Sequence, residues 1–171
     1  MATVVLRCTA KLTKLMGLSG AELGEPDSAD GASEWYANLI WLDRRKCILF
    51  THAPTLFAFL VPDVRKAKIV PIGGLLVDRA AFELVTEELP TGALGKLDPA
   101  SVHVARTASR SVLGSMNEFA FQCETHVYID GGLDVADIGR LNHRLRRIPM
   151  SVIGYRCPID LAREYASRRE M

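Results

Sequence analysis

The chain has no long apolar run, no paired cysteines and almost no surplus of charge, and each absence removes a class of protein. The longest apolar stretches, such as "LFAFLV" over Leu56–Val61, fall far short of the roughly 18 residues a membrane span needs. The opening "MATVVLRCTAKLTKLMG" has no basic segment followed by a long apolar one, so no secretory signal is read there. The expectations are a cytoplasmic location and no membrane partner. The four cysteines, Cys8, Cys47, Cys123 and Cys157, include no CxxC pair, which argues against a zinc knuckle and a thioredoxin-like motif. Each lies in an apolar stretch or beside a proline and reads as a buried free thiol in a reducing compartment. The four histidines form no HxH, HxxxH or HExxH pattern, so no metal and no cofactor is indicated. The phosphate loop G-x-x-x-x-G-K-[ST] and the nucleophile elbow G-x-S-x-G are absent too. Net charge is +1, from 21 basic and 20 acidic residues, so bulk charge favours neither nucleic acid nor a membrane. No internal repeat is visible.

What is present describes a folded domain. Of 171 residues, 49% are hydrophobic and 24% charged, a globular composition that can bury a core without disulfides or metal. Length predicts a single domain over residues 1–171. "TVVLRCT" alternates and reads as a strand, and "AKLTKLMGL" as a short helix with Leu12, Leu15 and Met16 on one face. Residues 19–34 are small, polar and acidic, and read as a mobile loop. "WYANLIWL" and "CILFTH", joined by "DRRK", predict a β-hairpin over about 35–51. Trp35, Ala37, Leu39 and Trp41 share one face, and Tyr36, Asn38, Ile40 and Leu42 the other. A buried Asn38 must therefore be hydrogen-bonded. "PTLFAFLVP" is expected to be a helix stopped by Pro62, and "AKIVPIGG" a short strand or extended link.

Further along, "LLVDRAAFELVTEEL" places Leu76, Ala80, Glu83, Leu84 and Glu87 at helical spacing. "SVHVAR" reads as a strand. A long helix with Met116, Phe119, Ala120, Cys123 and Val127 inward should end at Gly131–Gly132. Asp134 is the expected N-cap of a helix with Val135, Ile138, Leu141 and Leu145 inward. "SVIGYRCP" reads as a last short strand, and residues 161–171 as a short, charged helix that frays as a C-terminal tail. Strands and helices mix without regular alternation. The fold class is α+β, a small mixed or antiparallel sheet packed by several helices.

Two stretches carry chemistry. "RTASRSVLGSMNEF" sets serines and arginines ahead of a helix. Ser115 and Glu118 fit a capping box, with Ser109 or Ser111 as caps if the helix begins earlier. A helix start also offers free N–H groups to an anion, and Arg106 and Arg110 would add charge-assisted bonds. "GRLNHRLRRIP" is the one basic cluster, with Arg140, Arg144 and Arg147 on one face and His143 and Arg146 beside it. It is either a solvated helix end or a phosphate-contacting surface. His103 and His126 are the candidate bases for a nucleophile at Ser109, Ser111 or Cys123, although no spacing demands it. Trp35, Tyr36, Trp41, Phe50, Phe57 and Phe59 suit a core, or a stacking platform if one hairpin face is open.

Four blocks, "RCTAKLTK", "WYANLIWLDRRKCILFTHAPTLFAFLVP", "SRSVLGSMNEFAFQ" and "LNHRLRRIPMSVIGY", resemble a bacterial family of single-domain proteins catalogued as a domain of unknown function. They span nearly the whole chain in order. The resemblance implies a stand-alone cytoplasmic domain and brings no established activity, cofactor or catalytic residue. Some relatives carry histidine at the position of Tyr36, which weakens an acid–base role there.

The reading that follows is a binding domain for an anionic ligand, a phosphate-bearing nucleotide or nucleic acid. Arg106, Ser109, Arg110, Ser111 and Ser115 would form the site, extended by Arg140, Arg144 and Arg147. The alternatives are a phosphodiester hydrolase or transferase using His103 or His126, and a subunit that binds another protein.

Overall fold

Strand alternation and two helix faces build a layered molecule. The computed structural model describes residues 3–23, 34–69 and 71–170. Most of the acidic loop expected over residues 19–34 lies outside the described residues. Five strands form one sheet: β1 (Val4–Cys8), β2 (Glu34–Leu42), β3 (Arg45–His52), β4 (Ala58–Val61) and β5 (Val102–Arg106). Their spatial order is β4-β3-β2-β1-β5. β1 runs parallel to both β2 and β5, while β3 is antiparallel to β2 and β4. The helices among the described residues are α1 (Ala10–Met16), α2 (Lys66–Ile69), α3 (Ile72–Thr86), α4 (Arg110–Asp130), α5 (Ile138–Leu145) and α6 (Pro158–Glu170).

Helices cover both faces, and the period-2 strands feed two cores. Val4, Leu6, Trp35, Ala37, Ile48, Phe50 and Phe59 face α1, α3 and α6 through Leu12, Leu76, Ile159 and Ala162. Tyr36, Ile40, Cys47, Leu49 and Leu60 face α4 and α5 through Met116, Phe119, Cys123, Leu141 and Leu145. Each fully buried Leu, Ile or Phe is worth about 1.5–3 kcal/mol, so these two layers dominate stability over any exposed ion pair. All four cysteines are free, and Cys157 alone is not fully buried. Burial pushes the Cys8 thiol up to about 12 and raises Cys47 and Cys123 as well, so all three are held as unreactive thiols.

The hairpin forms with a tighter turn than "DRRK" implied. Asp43 and Arg44 alone make the turn, with φ of 51° and 63°, and Arg45 and Lys46 already pair in β3. Trp35, Tyr36, Phe50, Phe57 and Phe59 are core, whereas Trp41 is 55% exposed. "PTLFAFLVP" is not a helix. Leu56 takes φ 60° in a turn, and β4 then alternates Ala58 and Leu60 against Phe59 and Val61. A run buried on both faces carries no periodicity to separate strand from helix.

The "AKI" segment is the helical turn α2 rather than a strand. "SVIGYRCP" is a 3-10 turn over Ser151–Ile153, joined only by the single bridge Met150–Arg156. Asp137, not Asp134, caps α5, accepting from the Arg140 amide at 3.0 Å, and Val135 lies outside the helix and exposed. Over residues 161–171, α6 continues to Glu170 and buries Ala162 and Ala166.

The β4 edge is closed by side chains. Asn142 Oδ1 accepts from the Leu60 amide at 2.6 Å, and its Nδ2 donates to the Leu60 carbonyl at 3.2 Å. Arg146, 1% exposed, donates through Nη1 to the Ala58 carbonyl at 3.2 Å. Its Nη2 reaches Glu83 of α3 at 3.1 Å and Glu87, the residue that caps the end of α3, at 2.8 Å. Arg147 completes the cluster, 2.6 Å from Glu87. With Arg79 3.6 Å from Glu83, three guanidiniums meet these two carboxylates, and Arg146 and Arg147 tie the end of α3 to the end of α5.

Candidate functional site

β1 and β5 end level with each other, Cys8 opposite Arg106. The chain then leaves them in opposite directions. After β1, α1 packs on one face of the sheet; after β5, α4 packs on the other. Neighbouring parallel strands whose connections part in this way leave a crevice beyond their carboxyl ends, the usual ligand position in such sheets.

The residues around this crevice come from several parts of the chain. Ser109 caps α4, its Oγ accepting from the Val112 amide at 3.2 Å. Its own amide donates to the Tyr36 hydroxyl at 2.9 Å, which fixes the helix start to β2. The Ser109 and Ser111 hydroxyls are 3.0 Å apart. The amides of Arg110 and Ser111 lie in the first turn, where no preceding helix carbonyl can accept them. On the β1 side, Thr9 Oγ1 donates to Asn38 Oδ1 at 2.8 Å, which supplies the bond a buried Asn38 requires. Arg7 bridges Glu34 at 3.1 Å and the Arg106 carbonyl at 2.8 Å. The Arg106 side chain packs so closely under Gly20 that a Cβ there would stand 2.6 Å from its Nη2. Arg106 and Arg110 are exposed and form no ion pair among the described residues.

The structure sorts the expected site residues into three places. Arg106 ends β5, and Ser109, Arg110 and Ser111 open α4 directly beyond it. Ser115 is buried one turn inside α4, where its hydroxyl donates to the Ser111 carbonyl at 3.0 Å. The capping-box alternative therefore gives way to Ser109 as the cap. Arg140 and Arg144 line a groove with Gln122, His126 and Asp130 of α4. That groove starts about 18 Å along the helix from Arg110, at 1.5 Å per residue. Arg147 belongs to the ionic cluster at β4.

Burial alone would raise the Glu87 carboxyl. The hydrogen bonds and charges of Arg147 and Arg146 outweigh it and hold the group at about 2.

His103 is exposed on β5, and His126 is buried on α4. No hydrogen bond joins either one to Ser109, Ser111 or Cys123 among the described residues. No group of three or more His, Cys, Asp or Glu there is placed to hold a metal ion.

Sequence reasoning missed Thr9, Tyr36 and Asn38 at the crevice, because only strand register brings them to α4. It also missed the ionic cluster, for which a signal existed. Glu83 and Glu87 stand in the apolar stripe that runs along α3 to its cap, and a carboxylate on a buried face calls for a buried cation.

No curated protein and no solved structure matches the chain. Residues 5–161 match the model of the family described as Domain of unknown function (DUF6933), and the chain belongs to that family.

Proposed function

We propose that this chain is a binding domain for a phosphate-bearing ligand, taken up at the crevice beyond β1 and β5. The observation that carries this reading is the parting of α1 and α4 to opposite faces from neighbouring parallel strands. Around that point stand the Ser109 and Ser111 hydroxyls, the first-turn amides of α4, and the guanidiniums of Arg106 and Arg110. Such donors suit a phosphate or carboxylate, and the helix dipole adds to them. Three of the four stretches that carry the family resemblance, "RCTAKLTK", "WYANL" and "SRSVLGSMN", meet here through the Cys8–Ala37 register, the Thr9–Asn38 bond and the Ser109–Tyr36 bond.

The test is calorimetric titration of the full chain with inorganic phosphate, adenosine monophosphate and short RNA and DNA oligonucleotides, at low and moderate salt. Arg106→Ala and Arg110→Ala should each weaken binding about tenfold, the scale of one charge-assisted bond. A nucleic-acid ligand would add a log–log salt slope of about 0.7–0.9 for each phosphate contacted. Binding unchanged in both variants would sink the reading.

A second reading, a protein-binding subunit, is favoured by the outer face of α4. Phe121, Tyr128 and Ile129 are all more than half exposed there. Light scattering over a concentration series, with Tyr128→Ser beside the parent, checks whether that face joins copies of the chain.

A further inference from the structure

A cavity of about 190 Å3 lies between the second half of α4 and α5. It is separate from the crevice and holds a different set of groups. Arg140 and Arg144, one turn apart on α5, line it. Both are exposed and form no ion pair among the described residues. His126 lines it from α4 and is only 8% exposed. Its Nε2 lies 3.0 Å from Asp130 Oδ2, yet it has no hydrogen-bond partner among the described residues. The two atoms are close without the alignment a hydrogen bond needs. Asp130 Oδ2 instead accepts from the Asp137 amide at 3.3 Å. Two unpaired guanidiniums over a buried imidazole and a single carboxylate give this cavity more donors than acceptors.

We propose that this cavity is a second anion site and takes one phosphoryl group. Size is the first argument. Sites for drug-sized ligands run to about 300–1,000 Å3, so this cavity holds a single charged group and leaves the rest of a ligand outside, over α5. Charge is the second. The two guanidiniums exceed the single carboxylate of Asp130, so the lining is left with positive charge that a phosphoryl group would offset. Donor number is the third. Arg140 and Arg144 present two separate forks of donors to the three oxygens of a tetrahedral group, and Thr125 and Gln122 add neutral ones, with His126 in the wall beside them. A planar carboxylate would need only one arginine fork.

The experiment follows the histidine ring resonances of the full chain by NMR. The probes are inorganic phosphate, glycerol phosphate and a single-stranded oligonucleotide, with sodium chloride at matched ionic strength. The His126 signal is assigned by ring-to-backbone correlation, and by its loss in His126→Gln if that variant folds. Phosphate should move it saturably. The surface variant Arg140→Gln/Arg144→Gln should weaken that response about tenfold or more, while Arg110→Ala leaves it unchanged. That last arm separates this site from the crevice. A response shared by the oligonucleotide and lost with salt assigns the phosphoryl group to a nucleic-acid backbone; a response to the small phosphates alone assigns it to a free ligand. A His126 ring that no probe moves, or a shift that survives in the double variant, overturns the proposal.

Discussion

The two edges of the sheet are finished in opposite ways. At β4, Asn142 bonds both backbone groups of Leu60, and Arg146 takes the Ala58 carbonyl, backed by Glu83 and Glu87. At β5, no strand among the described residues pairs beyond, His103 and Arg106 are exposed, and the chain runs on into the crevice. The arginines divide with the edges. Arg146 and Arg147 spend their charge on neighbours within the fold, whereas Arg106, Arg110, Arg140 and Arg144 hold theirs open to solvent. Arginine is therefore both a buried, paired residue and an exposed, unpaired one in this chain. Proximity in sequence does not separate the two.

The sharpest test of that division is Arg146→Ala. It removes the buried guanidinium between Glu83 and Glu87, leaving Glu87 to Arg147 and Glu83 to Asn142 and Arg79, and should cost about 3–5 kcal/mol in urea unfolding. Arg144→Ala, two positions away, should stay within about 0.5 kcal/mol. Equal losses in the two variants would erase the distinction.

Next in size is acid sensitivity. The Glu87 carboxyl lies near 2 in the fold, against 4.5 for an ordinary glutamate. A depressed carboxylate stabilises the fold fully above its unfolded value. That contribution, about 3 kcal/mol, is lost as pH falls from about 4.5 to 2. In Glu87→Gln the unfolding free energy should lose this part of its slope across that window.

Asn142→Ala removes both partners of Leu60 and should cost about 1–3 kcal/mol. Ser109→Ala should cost about 1 kcal/mol through the lost cap. Glu118→Ala should cost no capping energy, which distinguishes the observed cap from the Ser115–Glu118 box. Thermal unfolding by circular dichroism reads both.

Among the helices, one buried face made α3 and α4 legible by their period. β2 and β3 are buried on both faces and were legible instead by β-rich composition on either side of a short polar link. β4 is buried on both faces too, has no such link to mark it, and its composition matches a helix as well as a strand. The end of the chain shows the same limit, because Met150–Arg156 makes a single bridge around a 3-10 turn and has no period to read.

The serines and arginines at the start of α4 were visible as a cluster because they are contiguous. Their neighbours across the crevice were not, since Tyr36 and Asn38 reach them only through the pairing of β1 with β2 and of β1 with β5. Arg140 to Arg147 looked like a single basic face. The carboxylates that divide it lie at the end of α3, some sixty residues earlier in the chain.

The amide clasp of Asn142 on Leu60 also limits assembly. A filament built by joining sheets needs two receptive borders on every copy, one to receive and one to give. Here one border is already occupied by the chain's own side chains. Two copies meeting at β5 would close as a symmetric pair with nothing left to recruit a third. Growth by strand addition is thus confined to a dimer for as long as α5 stays docked.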